Sequence, residues 1–156
     1  MGIRDWFGRK ETLDNFLNRD EQARVVSAIR TAEERTSGEL RIHLERHCPG
    51  DPLNRAAEVF SRLGMDKTGL RNGVLIYCAL KDRRFAVYGD AGIHERLGQT
   101  YWQELVDHVQ QEIRGNSLAA GLALAAESIG KNLSDHFPRS ADDRDELPDD
   151  ISFQRN

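Results

Sequence analysis

"GVLIYCALKDRRFAVYG", residues 73 to 89, is the stretch whose reading decides the fold of this chain. Gly73 to Leu80 is a continuous apolar run without alternation, entered through Asn72-Gly73 and closed by charged residues. Such a run suits a strand buried on both faces, hence one lying centrally in a sheet. The break Lys81 to Arg84 is too short for a crossover, so "FAVYG" returns beside the first run as an antiparallel hairpin. The spacing therefore predicts strands over 73–80 and 85–89.

Upstream, "ELRIHLER" alternates strictly, with Leu40, Ile42 and Leu44 on one face and Glu39, Arg41, His43 and Glu45 on the other. That pattern predicts a strand over 39–46 with one wet or partly polar face. Asn18 and Glu21 have the spacing of a capping box, and Val25, Val26, Ile29 and Ala32 then repeat at helical intervals, giving a helix over about 19–36. Asp51 and Pro52 supply an N-cap and an N1 proline for a second helix, whose stripe is Ala56, Val59, Phe60 and Leu63 and whose end is Gly64. Downstream, Trp102, Leu105, Val106, Val109 and Ile113 mark a third helix. Leu118, Leu122, Ala125, Ile129, Leu133 and Phe137 mark a fourth, closed by Pro138.

The order α, β, α, β, β, α, α predicts a three-layer α/β/α sandwich with a small mixed β-sheet. Strands 39–46 and 73–80 are expected to be parallel, and 85–89 antiparallel to them. Residues 1–15 form an N-terminal extension, 16–138 one domain and 139–156 an acidic C-terminal tail. The tail reads as a solvated end, although Leu147, Ile151 and Phe153 leave room for docking.

Composition narrows the function classes. The 156 residues carry a net charge of −4, with acids clustered in "ADDRDELPDD", so no basic footprint for a phosphate backbone appears and nucleic acid is not expected as a partner. The longest apolar run, Val74 to Leu80, is far short of the roughly 20 residues of a membrane span. The N-terminus carries charges throughout and lacks the apolar core of a secretory signal, and two cysteines give no disulfide framework. A cytoplasmic location is the expectation.

The topology sorts the polar loops into two ends. Where the parallel strands begin lie Glu39, the loop "MDKTGLRNG" and, because the hairpin returns there, Gly89 and Asp90. Asp66, Thr68, Asn72, Asp90 and Glu95 can converge with Glu39 on one rim. Oxygen-rich side chains on loops are what a hard cation such as calcium prefers, although the EF-hand order is absent. The opposite end holds Arg46, His47, Cys48, Asp51, Lys81, Asp82, Arg83 and Arg84, where ligand sites of open α/β sheets usually lie. Here the general rule and the acidic rim disagree. Asp90 itself, in "GDAG", also reads as a turn residue and helix cap.

Familiar catalytic signatures are missing. "CPGDPLNR" is C-x6-R and not the C-x5-R of the cysteine phosphatases, so Cys48 reads as an ordinary loop thiol. Neither a phosphate-cradling G-x4-G-K-[ST] nor a G-x-S-x-G elbow occurs. His43, His47, His94, His108 and His136 lack paired metal spacing.

"TSGELRIHL", "AAEVFSRLGMDKTGLRNGVLIYCALKDRRFAVYGDAGI", a long helix and "AAGLALAAESIGKNLSDHF" together resemble the TPM domain, a family founded on thylakoid and photosystem-repair proteins, over about residues 16–138. The resemblance implies an α/β/α sandwich, a shallow cleft lined by acidic residues, divalent-cation binding in some members and a phosphatase assignment for some plastid ones. Gly38 and Glu39 match the family's start of the first strand, and Asn72 and Gly73 its Asp-Asn-Gly entry to the central strand. Arg71 stands where many members have Asp, which removes a carboxylate from the rim and adds a cation. Asp90 sits in a glycine turn longer than the usual Gly-x-Gly and restores an acid nearby.

Three functions follow as expectations. The first is a module that binds a divalent cation, calcium foremost, through Asp90, Asp66, Asn72 and Glu39. The second is a metal-assisted phosphatase at the same rim, with Arg71 or Lys67 neutralising phosphate charge. The third is a non-catalytic interaction module that meets a protein partner through the cleft or the acidic tail.

Overall fold

The structure, a computed structural model, describes residues 15–139 and 151–154. The N-terminal extension up to residue 14, and Leu147 with the rest of the acidic run 140–150, lie outside them. Helix α1 (Arg19–Glu33) opens on the expected capping box: Asn18 Oδ1 accepts from Glu21 N at 2.8 Å, and Glu21 Oε1 accepts from Asn18 N at 2.8 Å. Strand β1 (Glu39–Glu45) follows, then α2 (Pro52–Arg62), which Asp51 caps through Asn54 N. Gly64, in the left-handed region at φ 76°, turns the chain out of α2 into a short 3-10 turn, Met65–Lys67. Strands β2 (Gly73–Ala79) and β3 (Arg84–Gly89) form the expected hairpin.

Beyond it, α3 (Ala91–Gly115) is broken at Gly98, whose φ of 83° and ψ of 165° are not helical. The apolar spacing alone did not reveal this kink. Helix α4 (Leu118–His136) is capped by Ser117, whose Oγ accepts from Ala120 N.

The sheet is mixed, in the order β3-β2-β1-β4. β1 and β2 run parallel with Glu39 beside Gly73, and β3 pairs antiparallel with Gly89 beside Val74. All of β2 is buried, as its sequence requires. The fourth strand, β4 (Ile151–Gln154), corrects the reading of the tail as solvated: it pairs parallel with β1 from Ile42 to Glu45. Ile151 and Phe153 rest on the main core, which is the docking that their apolar side chains left open.

Two apolar layers flank the sheet. Leu40, Ile42, Leu44, Val74, Ile76, Phe85 and Val87 face α1, α3 and α4, while Leu75, Tyr77, Ala79 and Ala86 face the α2 side with Ala56, Val59 and Phe60. The domain is thus the three-layer α/β/α sandwich that the element order implied. Of the two alternatives for the face of β1 carrying Glu39, Arg41, His43 and Glu45, wet or partly polar, the structure shows the second: the face is polar but largely buried. Glu39, His43 and Glu45 are buried, the last two against Arg55 of α2, Tyr77 of β2 and Ser152 of β4. Among the described residues no helix is long and apolar enough to cross a membrane.

Candidate functional site

The rim at the start of the parallel strands is built around Asp90. Its carboxylate terminates β3, caps α3 through Ala91 N at 2.8 Å, and receives the Arg71 guanidinium at 2.7 Å (Nε to Oδ2) and 2.9 Å (Nη2 to Oδ1). The Asp90 side chain is 3% exposed and that of Arg71 55%. Arg71 reaches it from a residue in the left-handed region, at φ 53°. Asp90 holds the Arg71 guanidinium's pKa above its ordinary value, first by hydrogen bonding and then by charge, with a further contribution from Asp66.

Backbone bonds weld the same corner. Asp90 N donates to Gly73 O at 2.9 Å, and Gly92 N to Arg71 O at 2.8 Å. A Cβ on Gly92 would stand 2.3 Å from Leu70 O, so the close approach of α3 to the loop requires glycine there.

Of the residues expected on the rim, Asn72 is buried and donates to Ser37 Oγ at 3.4 Å, and Glu39 is buried one strand away beside Gly73. Asp66 is exposed on the 3-10 turn, and Glu95 is exposed on α3. Thr68 carries a buried hydroxyl with no hydrogen-bond partner among the described residues. Among the described residues no group of three or more His, Cys, Asp or Glu side chains is gathered where it could hold a metal ion. As arranged, both Asp90 oxygens already meet a guanidinium, so the rim fits a metal cation only in place of Arg71.

At the opposite end, Asp82 gathers the loops. Its oxygens accept from Cys48 N at 2.7 Å and meet His47 Nδ1 at 3.0 Å, and this His47 contact, then Cys48 N, lowers the Asp82 pKa. Cys48 Sγ donates to Gly50 O at 3.3 Å, an ordinary loop thiol's contact.

Beneath α2 lies a buried polar network that the alternation of β1 only hinted at. Glu45, fully buried, accepts from Arg55 Nε and Nη2 at 2.8 Å each and from the Tyr77 hydroxyl. His43 Nε2 lies 3.3 Å from Glu45 Oε1, and His43 Nδ1 lies 2.8 Å from Ser152 Oγ on β4. Burial alone would raise the Glu45 pKa, but the hydrogen bonds from Arg55, His43 and Tyr77 together outweigh it and hold the carboxyl at about 2. An ionised Glu45 only accepts, so neutral His43 carries its proton on Nε2, and its Nδ1 accepts from Ser152. Burial, then the bond to Glu45, raises the Tyr77 pKa far above its usual value. The sequence signal for this network was present: Arg55 opens the buried stripe of α2, and Tyr77 sits mid-run in β2.

A groove of about 360 Å³ runs along β3, between the start of α2 and α3.

A profile of the TPM domain matches residues 12–132. The chain belongs to the TPM domain family. This TPM domain is 40% identical to the BA42 protein of the psychrophilic bacterium Bizionia argentinensis, whose NMR structure superposes with a TM-score of 0.83 over 92% of this chain and 99% of that one. The N-terminal domain of a protein from P. gingivalis, at 16% identity and a TM-score of 0.63 over 80% of this chain and 83% of that one, shares the fold. Among curated proteins none matches.

Proposed function

We propose that this TPM domain is a divalent-cation module, calcium first, in which the cation exchanges with the Arg71 guanidinium at Asp90. The observation that carries the reading is the Arg71–Asp90 pair: a buried carboxylate already neutralised by a cation whose own side chain is half in water. A guanidinium on an exposed stem is a replaceable cation. Asp66, close enough to act on the Arg71 charge, supplies a second carboxylate, and Asn72, Glu39 and the Thr68 hydroxyl supply further oxygens from the same end of the sheet. Calcium takes 6–8 oxygen ligands in flexible geometry, which suits a mixture of loop side chains better than the strict octahedron of magnesium.

The word phosphatase in the name of the family profile supports metal-assisted phosphomonoester hydrolysis as a second proposal on the same rim. A bound cation would polarise a phosphoryl oxygen there, and Lys67 or the released Arg71 would meet phosphate charge.

The test is a calcium titration followed by amide NMR on the native chain, Arg71→Ala and Asp90→Asn. Saturable shifts over residues 39, 66–73 and 89–95, at lower calcium in Arg71→Ala and abolished in Asp90→Asn, are expected. Shifts scattered along the acidic tail, or titration curves that both variants leave unchanged, would refute the exchange.

A further inference from the structure

The β3 edge carries a feature that the rim does not use. Among the described residues β3 pairs only with β2, so its outer edge has no strand partner. Edge strands are usually blunted by proline, inward-pointing charge or a bulge. Here "FAVY" carries none of these, and Phe85, Ala86 and Val87 are kept nearly out of water by the flanking helices instead.

The helices leave a slot. The groove of about 360 Å³ follows β3 from Phe85 to Gly89, with Leu53 on the α2 lip and Trp102 and Val106 on the α3 wall. Both faces of the strand are therefore walled, which hinders pairing with another sheet but admits a single extended chain. Leu53, 44% exposed, is one of two large apolar side chains left in water among the described residues.

The groove's own lining holds one acid, Asp51, and the cations of this region stand just past its end. At the end where β3 begins, Lys81, Arg83 and Arg84 are exposed. The acids of that end are tied down: Asp82 by His47 and Cys48 N, and Asp51 by Asn54 N. The other end offers polar, uncharged groups. Trp102 Nε1 donates to His94 Nδ1 at 3.0 Å, which places the proton of a neutral His94 on Nε2, and Gln99 and Gln103 lie alongside.

We propose that the β3 edge is a peptide-docking site that takes an extended segment of a partner protein as a fifth strand. The segment is one with alternate apolar side chains and an acidic residue where it meets Arg84, the first residue of β3. Backbone hydrogen bonds to β3 give the affinity, and the Leu53, Trp102 and Val106 walls give side-chain selection, as in other β-addition sites. The proposal is independent of cation binding, which concerns the loop end of the sheet and not its edge.

The experiment is selection of random twelve-residue peptides displayed on phage against the full chain. Enriched peptides are then synthesised with a fluorescent label and titrated against the native chain, Leu53→Glu and Arg84→Glu. Both substituted side chains are exposed, so folding is retained, and circular dichroism checks it. Enriched sequences that alternate apolar and polar residues next to an acid, bind at least tenfold more weakly to each variant and shift the amides of residues 84–89 are expected. Failure to enrich any sequence would overturn the proposal. So would enriched peptides that bind both variants undiminished, or that shift the rim or the β4 edge instead of β3.

Discussion

Arg71 grips Asp90 with two parallel hydrogen bonds, at 2.7 and 2.9 Å, from a backbone conformation that few non-glycine residues adopt. The same carboxylate caps α3, so one side chain fixes the loop before β2 and starts the helix after β3. Bidentate guanidinium–carboxylate geometry is among the stronger charged contacts, although the exposure of Arg71 lets water weaken it. Asp90→Ala loses the cap and the pair together and is expected to lower stability by about 2 kcal/mol, from the usual magnitudes of a cap and a charged hydrogen bond. Arg71→Ala is expected to lower it by clearly less, since the cap at Ala91 N survives and water screens the exposed guanidinium. Urea denaturation of the two variants in calcium-free buffer measures the difference; equal losses would mean that the cap contributes nothing.

Glu45 sets the acid limit of the domain. Its pKa in the folded chain is about 2, below an ordinary carboxyl near 4.5. A depressed pKa adds stability that is fully present above the unfolded value and disappears as pH falls toward the folded one. That window runs from about pH 5 down to about pH 2, and the difference corresponds to about 3 kcal/mol. Glu45→Gln is expected to be weaker at pH 7, because Arg55 then keeps a buried charge with Glu58 as its remaining acid, and to show a flatter stability curve through that window. Thermal melts across the window check it; parallel curves for the two proteins would place the acid sensitivity elsewhere.

His43 joins that network to the tail. With Glu45 ionised, its Nε2 is the protonated nitrogen and its Nδ1 faces Ser152. Nitrogen shifts of the imidazole in NMR should report the Nε2–H tautomer at neutral pH, and Ser152→Ala should move the Nδ1 resonance while leaving Nε2 nearly unchanged. An Nδ1–H tautomer would mean that Ser152 is the acceptor and that Glu45 does not orient the ring.

How much of this was legible follows from what each pattern encodes. Period-two and unbroken apolar runs gave β1, β2 and β3 to within a residue or two, and Asn18 with Glu21 gave the start of α1. The convergence of Glu39, Asn72 and Asp90 on one end followed from the hairpin. Alternation says which side chains share a face, but not what will cover it, so for Glu45 and His43 a wet and a partly polar buried face stayed equally open. The Arg71–Asp90 grip joins residues far apart in sequence and depends on an unusual backbone angle, neither of which a local pattern records. β4 is four residues at the end of an acidic run, and it is a strand only because β1 has an edge to offer.

That dependence makes β4 separable. It is short, half-exposed throughout and held by Phe153 against Phe16, by Ser152 on His43 and by a weak contact of Gln154 with Arg62. Removing residues 151–156 is expected to leave the domain folded. Amide exchange should accelerate selectively over residues 42–45, the β1 positions that β4 covers, while β2 and β3 keep their protection. Uniform acceleration throughout the sheet would show that the tail is part of the cooperative core.

The glycines around Asp90 separate two physical demands. At Gly92 an added Cβ would meet Leu70 O at 2.3 Å and Arg71 O at 2.7 Å, and the Arg71 oxygen cannot retreat without breaking the bond it accepts from Gly92 N. At Gly98 nothing lies within 4 Å, but φ is 83°, so a side chain there is strained by the backbone alone. At Gly69 neither demand applies. Gly98→Ala is therefore expected to lower stability by about 2 kcal/mol, because φ 83° with ψ 165° is a backbone region open essentially only to glycine. Gly92→Ala should lower it by more than 2 kcal/mol, in the range of overpacking a tight contact, and should also displace Arg71 from Asp90. Gly69→Ala should be neutral or slightly stabilising, through the unfolded chain. Denaturant melts order the three, and amide shifts at Arg71 and Ala91 identify the displacement. If Gly92→Ala proved as mild as Gly98→Ala, the approach of α3 to the rim loop would be looser than its 2.8 Å hydrogen bond implies.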